Sequence, residues 1–436
     1  MLSVLKNRTY RHLFTAQVIA LVGTGLMTVA LGLLAYELAG ADAGAVLGSA
    51  LAIKMLAYVG VAPVAQAFAD QFPRRSLLVA LDLVRAVVAI CLPFVTEVWQ
   101  IYLLIFVLQA ASAGFTPTFQ ATIPDILPDE EDYTKALSLS RLAYDLESLI
   151  SPMLAAALLT VISFHNLFAG TVLGFLVSAA LVVSVRLPTT IPGPRRGIWD
   201  RTTRGTRIYL ATPRLRGLLA ISLAVSAAGA MVIVNTVVLV KARFGLGEVE
   251  VASALAAFGG GSMVAAFVLP SLLEKVADRT AMLTGATVLV VGTGIGALLP
   301  SYALLLPLWL IIGFGYSVAQ TPSGRLLRRS AHAEDRPAIF AAHFALSHAC
   351  WLICYPLAGR FGAVMGLPST FIVMSLVGLA GVALTLWLWP ASDPSDVAHD
   401  HPSLPPDHPH LRTHADQGRH HHQLILDDLH RIWPKG

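Results

Sequence analysis

Residues 187–216 read LPTTIPGPRRGIWDRTTRGTRIYLATPRLR, a stretch dense in proline and arginine. Its weight lies in what flanks it. About 20 apolar residues cross a bilayer as a helix. Six runs of that kind precede the stretch, at 13–36, 45–68, 76–95, 100–121, 137–161 and 166–186. Six more follow it, at 217–240, 251–272, 281–299, 302–321, 338–358 and 368–389. The polar stretch thus divides the chain into an N-terminal six-helix bundle, 1–186, and a C-terminal one, 217–390. A linker, 187–216, joins them, and a tail, 391–436, follows. The expected fold is all-α and membrane-embedded: twelve transmembrane helices in two pseudo-symmetric bundles, with a disordered C-terminal tail.

Composition points the same way. Of 436 residues, 56% are hydrophobic and 13% charged, whereas a soluble chain carries about 25% charged residues. Lipid must solvate much of such a surface. Cys91, Cys350 and Cys354 lie in apolar stretches, so no disulfide framework is expected. The first apolar run is too long for the h-region of a cleavable signal peptide. A net charge of +4 is no mark of nucleic-acid binding, because the arginines sit in short loops between spans. No G-x-x-x-x-G-K-[ST] phosphate loop and no nucleophile–base pattern occurs. An enzyme, an ATP-driven pump and a resident cofactor are therefore not expected.

Lys and Arg set the orientation. One side carries Lys6, Arg8, Arg11, Arg74, Arg75, Lys135, eight arginines from Arg186 to Arg216, Lys275, Arg279, Arg325, Arg328, Arg329 and Arg336. The opposite loops hold Lys241, Arg243 and Arg360. This bias of 20 to 3 places both termini and the linker in the cytoplasm of a bacterial-type inner membrane. The halves also echo each other. Gly114-Phe115-Thr116-Pro117 in the fourth span corresponds to Gly315-Tyr316-Ser317 in the tenth, and Ser151-Pro152 in the fifth to Tyr355-Pro356 in the eleventh.

The loop after the second span, Gln66-Ala-Phe-Ala-Asp70-Gln-Phe-Pro-Arg74-Arg75, resembles the major-facilitator signature G-x-x-x-D-R-x-G-R-R. Asp70, Arg74 and Arg75 match it; both glycines and the first arginine do not. Pro270-Ser-Leu-Leu-Glu274-Lys275-Val-Ala-Asp278-Arg279 resembles a degraded second copy. The resemblance implies that these loops form charge contacts locking the halves in one state, with Asp70, Arg74, Arg75, Glu274, Lys275 and Arg279 as the gating residues. In the fifth span Ser151-Pro152 and Ala155-Ala156 resemble a weakened G-P-x-x-G-G antiporter motif. The region from Pro117 to Pro152 resembles the branch holding siderophore and drug exporters. Ala143-Tyr144-Asp145-Leu146-Glu147-Ser148 and the His-rich terminus resemble nickel-resistance exporters of the NreB type.

Ionisable residues inside a bilayer cost a few kcal/mol even on mild insertion scales, which makes them functional suspects. Lys54 lies in the second span; it could reach Asp82 or snorkel. Asp82 and Arg85, spaced i, i+3, and Arg141 and Asp145, spaced i, i+4, can pair along their own helices. Such pairs can be purely structural. Glu147 lies about 200° around the helix from Asp145 and has no evident local partner. Asp145 or Glu147, if in a central cavity, could carry a proton or a cation in alternation. In the eleventh span His343, Ser347, Cys350 and Cys354 fall on one helical stripe. Imidazole and thiolate suit nickel, zinc or copper, so the stripe reads either as a track of weak metal sites or as packing. His348 falls off that stripe and reads as packing or interfacial. Gln17, Thr24, Gln109, Asn235 and Gln320 are further cavity candidates, or interhelical hydrogen bonders. Gly259-Gly260-Gly261 reads as a close helix contact or a bend.

The tail holds nine of the fourteen histidines: His399, His401, His408, His410, His414, His420, His421, His422 and His430. They alternate with Asp and Pro, so the segment should be disordered or extended. Imidazole with carboxylate binds borderline divalent metals. Leu424, Ile425, Leu429, Ile432 and Trp433 could form a short amphipathic helix, on the membrane or docked on the body. The expected function is export of a divalent metal, nickel first with cobalt and zinc as alternatives, driven by proton antiport. The alternatives are an exporter of drugs or siderophore-like organics, marked by a wide aromatic cavity, and a membrane-anchored metal sensor. The expected partners are the metal-ion substrate and the lipid bilayer, with no nucleic acid, and the chain is expected to act as a monomer.

Overall fold

A computed structural model describes residues 2–39, 43–69, 72–159, 161–188, 197–246 and 248–392, and of the tail 396–399, 415–416, 419–423, 425–426, 430 and 433. Twelve helices of eighteen or more residues occur among the described residues, and each overlaps one expected span. In chain order they are α1 (Arg8–Ala39), α2 (Ala43–Ala69), α3 (Arg74–Cys91), α4 (Val98–Ile126), α5 (Glu130–Leu159) and α6 (Phe164–Val183), then α8 (Pro213–Val237), α9 (Glu248–Leu273), α10 (Asp278–Gly296), α11 (Tyr302–Gln320), α13 (Arg336–Met365) and α14 (Leu367–Leu388). Two shorter helices, α7 (Ile198–Ala211) and α12 (Ser323–Arg329), complete the set. By length and composition, nine helices among the described residues are able to cross a membrane.

The third span shows why these sequences need lipid. Leu83, Val87, Ile90 and Phe94 recur every three to four residues and all stand exposed. Leu78, Asp82, Arg85 and Ala89 lie on the opposite, buried face of the same segment. A helix in water is arranged the other way round. Here the apolar stripe faces outward and the polar groups are packed against protein.

Packing follows a pseudo-two-fold rule. In the first half α1 lies along α6 and α5, α4 along α2 and α3, and α3 along α6. In the second half the counterparts do the same: α8 with α14 and α13, α11 with α9 and α10, α10 with α14. The halves meet through α2 on α13 and α5 on α9, which are also counterparts. α9 and α11 approach each other backbone to backbone. A Cβ on Gly261 would lie 1.8 Å from the Leu310 carbonyl, and one on Gly313 would lie 1.8 Å from the Phe258 carbonyl. Of the glycine run 259–261, Gly261 thus serves the close helix contact, while a Cβ on Gly260 would meet nothing within 4 Å.

The linker holds a helix that its polar composition hid. Arg204, Gly205, Ile208, Tyr209 and Thr212 are buried at helical spacing. Arg204 donates from Nε and Nη2 to both carboxylate oxygens of Asp335, at 2.6 and 2.7 Å. Gly205 lets α7 approach the Ala338 carbonyl, which a Cβ there would meet at 2.1 Å. In the tail, extended backbone is present as expected, but it is also paired. β1 (Asp396–His399), β2 (Ala415–Asp416) and β3 (Arg419–Gln423) form an antiparallel sheet in the order β1-β3-β2. The register sets His399 against His420, Ala398 against His421 and Val397 against His422. His401, His408, His410 and His414 lie outside the described residues, as do Leu424, Leu429 and Ile432 of the expected amphipathic helix. Leu426 and Trp433 pack into the core of the second half, His430 is buried, and Trp433 stacks on the Arg214 guanidinium at 5.1 Å. These described residues of the tail are docked on the body.

Candidate functional site

Between the halves lies a cavity of about 600 Å³. Its walls collect candidate residues that lie far apart in the chain: Gln17 and Thr24 from α1, Lys54 from α2, Arg85 from α3, Gln109 from α4, Glu147 from α5, Gln320 from α11, and His343 and Ser347 from α13. Asn235 is elsewhere. It is buried and donates to the Ala358 carbonyl at 3.2 Å, an interhelical bond.

Asp82 is fully buried and acts as an anchor. It is ion-paired with Arg85 one turn on, and Ser178 of α6 donates to its second oxygen at 2.8 Å. The Arg85 guanidinium lies over Phe115 at 4.0 Å and Phe175 at 4.7 Å, which leaves it facing the cavity in a fixed pose. Lys54 does not turn to Asp82. It lies above the Tyr58 ring at 5.6 Å and within electrostatic reach of Glu147, which lines the same cavity. Glu147 reaches α1, where a Cβ on Gly25 would meet its Oε1 at 2.8 Å. The side chains of Arg141 and Asp145 lie outside what the structure describes.

On α13 the sequence stripe splits. His343 and Ser347 line the cavity, but Cys350 and Cys354 do not. Cys354 Sγ lies 3.3 Å from Ser226 Oγ of α8, and Cys350 Sγ turns back to the Leu346 carbonyl at 3.6 Å. The cavity face of this helix also takes in Phe344, His348, Trp351 and Tyr355. The cysteines share the stripe of His343 and Ser347 but lie one to two turns beyond Ser347, where their thiols turn to α8 and to their own backbone. His343 Nδ1 is 3.0 Å from the hydroxyl of Tyr209, so the linker helix orients it. His348, off the histidine–cysteine stripe, also lines the cavity. Its Nδ1 is 2.7 Å from the Phe344 carbonyl, and a carbonyl can only accept. The ring therefore carries its proton on Nδ1 when neutral and offers Nε2 as a lone pair. Metal-ligating imidazoles are commonly oriented by such a backbone bond. The signal available in the sequence was its place on an aromatic stripe. Among the described residues no three His, Cys, Asp or Glu side chains converge as a ready metal cage. The cavity offers separate donors.

The arginine-rich end is closed by two charge triads. Asp125, at the end of α4, accepts from Arg74 of its own half and from Arg336 of the other half at 2.7 Å. Arg325 of α12 contacts Asp278 of its own half at 3.5 Å and Glu130 of the other at 2.9 Å. The two triads occupy counterpart positions with charges inverted: one acid between two arginines, one arginine between two acids. Arg75 donates to the Val183 carbonyl and Arg279 to the Trp389 carbonyl, both inside their own halves. Glu274 and Lys275 are exposed. Asp70 lies outside the described residues. Replacing Asp125 by Asn should leave the buried Arg74 and the half-buried Arg336 facing each other. The expected loss is about 2 kcal/mol, or roughly thirtyfold in the ratio of closed to open. Spin-label distances between α5 and α12 would read it, and an unchanged distribution would contradict the role.

Comparison with known proteins supports the same architecture. Macrolide efflux protein A of Streptococcus pyogenes is 25% identical over 181 residues, covering 40% of this chain and 44% of that protein. Macrolide efflux protein A of Enterococcus faecalis is 28% identical over 152 residues, covering 33% and 47%. The chain thus spans less than half the length of these curated relatives. Among solved structures, the human organic anion transporter MFSD10 superposes with a TM-score of 0.74 at 14% identity, over 87% of this chain and 99% of that one. A bacterial homologue of the iron transporter ferroportin, in its outward-facing state, superposes with a TM-score of 0.69 at 14% identity, over 86% and 97%. At such identities the likeness is one of fold. The Major Facilitator Superfamily model matches residues 13–218 and then again 219–413. Because that one model accounts for each half in turn, this chain belongs to the major facilitator superfamily and is a multi-pass membrane transporter.

Proposed function

We propose that the chain exports a divalent transition metal, nickel first, outward from the cytoplasm by proton antiport, and so confers metal resistance. The observation that carries this reading is the position of Glu147. It is a carboxylate in a cavity shared by both halves, with Lys54, His343 and His348 in the same walls. One carboxylate holds a proton or a cation but not both, and alternate occupancy couples the two flows. The tail is the second support. Its nine imidazoles resemble those of NreB-type nickel exporters. The 20 to 3 bias of basic residues sets the tail and both termini in the cytoplasm of a bacterial inner membrane, the side from which export starts. The chain acts as a monomer, with metal as cargo and no resident cofactor.

Everted vesicles with an imposed pH gradient test this. They should accumulate nickel, and a protonophore should abolish the accumulation. Movement of an organic compound without proton-driven movement of nickel would sink the metal reading. A second reading has its own observation: Tyr58, Phe115, Tyr316, Phe340, Phe344, Trp351 and Tyr355 also line the cavity. Aromatic walls suit an organic cargo, and both curated relatives above are named for macrolide efflux. Adding a macrolide to the nickel assay separates the two.

Because Leu426, His430 and Trp433 are docked, the tail is best tested without cutting it. Replacing His399, His401, His408, His410, His414, His420, His421 and His422 by Gln should weaken apparent nickel affinity roughly tenfold while some maximal flux remains. A membrane-anchored sensor would instead lose its whole response. Metal retention by the tail should also fall as pH drops through about 6.5, where imidazoles take up protons and cease to ligate.

A further inference from the structure

A second cavity, of about 350 Å³, lies at the arginine-rich end. We propose that it is a binding site for a phosphate-bearing anion. Its walls come from both halves: Glu130 and Tyr133 from α5, and Arg325, Arg328, Arg329 and Arg336 from the other side. Four guanidiniums thus surround one carboxylate. Arg325 and Arg336 already have carboxylate partners in the two triads. Arg328 is met by the Pro128 carbonyl and, at 5.3 Å, by the ring of Tyr133. Neither of these carries a charge.

The Tyr133 hydroxyl is an independent observation. Tyr133 is fully buried, and its hydroxyl has no hydrogen-bond partner among the described residues. Nε of Arg336 is in the same position. Leaving such a group unsatisfied costs about 1–3 kcal/mol, and a bound ligand is one way the missing bond is supplied. Burial holds Tyr133 above its ordinary pKa, so the phenol keeps its proton and can donate. The open valences here are all donors. Planar guanidinium forks with a neutral hydroxyl match a tetrahedral oxyanion that presents several acceptor oxygens. A divalent cation finds Glu130, which Arg325 already holds, and the exposed His332, against four guanidinium charges.

Because both halves contribute walls, an anion here bridges them. It is bound best while this end is closed, and by linkage it favours that state. The anion can come from solution or from the headgroup of an anionic phospholipid in the adjacent leaflet; the donor set is the same for both.

The test uses the purified full-length protein and its thermal midpoint. In one arm inorganic phosphate and pyrophosphate are titrated in neutral detergent, against chloride at equal ionic strength. In the other, nanodiscs of phosphatidylglycerol are compared with phosphatidylcholine. A saturable rise in Tm is expected in at least one arm, and the responding arm identifies the source. Tyr133→Phe removes a hydroxyl that bonds nothing, so without the anion it should melt like the parent. With the anion, its apparent affinity should fall roughly tenfold, and Arg329→Gln should abolish the rise. A flat Tm in both arms overturns the proposal. So does a rise that both variants leave unchanged, because the anion then binds elsewhere.

Discussion

Glu147→Gln should abolish proton-driven export. Glutamine keeps the shape of glutamate but can neither release a proton nor neutralise a cation. Glu147 shares the central cavity with Lys54, and their charges act on one another there. Losing a charged partner at the site costs about 1.5–3 kcal/mol, roughly ten- to a hundredfold in the equilibrium that loads it. In everted vesicles, nickel accumulation should fall by at least that factor and should no longer respond to the pH gradient. Glu147→Asp keeps the charge on a shorter arm and should retain part of the flux. Unchanged pH-driven nickel export by Glu147→Gln would remove this residue from the mechanism and leave Asp145 as the remaining acid of the fifth span, 137–161.

Gly313→Leu should prevent the second half from assembling. A Cβ at that position would sit 1.8 Å from the Phe258 carbonyl, and no rotamer relieves a clash made by the Cβ itself. α9 and α11 would have to separate, opening their interface along its length. Overpacking of tight contacts costs about 1–3 kcal/mol and sometimes more, and a backbone-to-backbone contact belongs at the upper end. Little monodisperse protein should survive detergent extraction. Gly261→Ala probes the same contact from the other helix, at 1.8 Å from the Leu310 carbonyl. One separation of the helices accommodates both, so Gly261→Ala with Gly313→Ala should cost clearly less than the sum of the two. Gly260→Ala is the control: its Cβ meets nothing, and alanine favours helix by about 1 kcal/mol. It should melt at or above the parent temperature. Equal damage at 260 and 261 would contradict the contact.

Most of the fold was legible because a bilayer imposes a one-dimensional rule. Each crossing needs a helix of set length, and each missed crossing would scramble the alternation of basic loops. All twelve expected spans therefore coincide with long helices. The linker helix was not legible, because its apolar face is narrow and its burial depends on Arg204 finding Asp335, 131 residues away. The tail was only half legible. Its composition indicated extended chain, while the pairing of His399 with His420 is a non-local choice. The cavity was legible by residue type and not by direction. Lys54, Glu147 and His343 were singled out as ionisable groups in apolar helices, a costly placement whatever they face. Cys350 and His348, in contrast, exchanged roles.

The sequence by itself determined the number of spans, their division into two related halves and the polar residues that lipid could not tolerate, because hydropathy and charge are local properties summed along the chain. Only the tertiary structure decided that Glu147 answers to Lys54 and that Asp125 joins arginines from both halves. It also decided that α13 turns His348, and not its cysteines, toward the cavity. Helical periodicity defines several adjacent stripes equally well. Which stripe faces inward depends on how a helix is rotated against its neighbours, and that rotation is set by contacts such as Trp351 against Gly229, between residues distant in the chain.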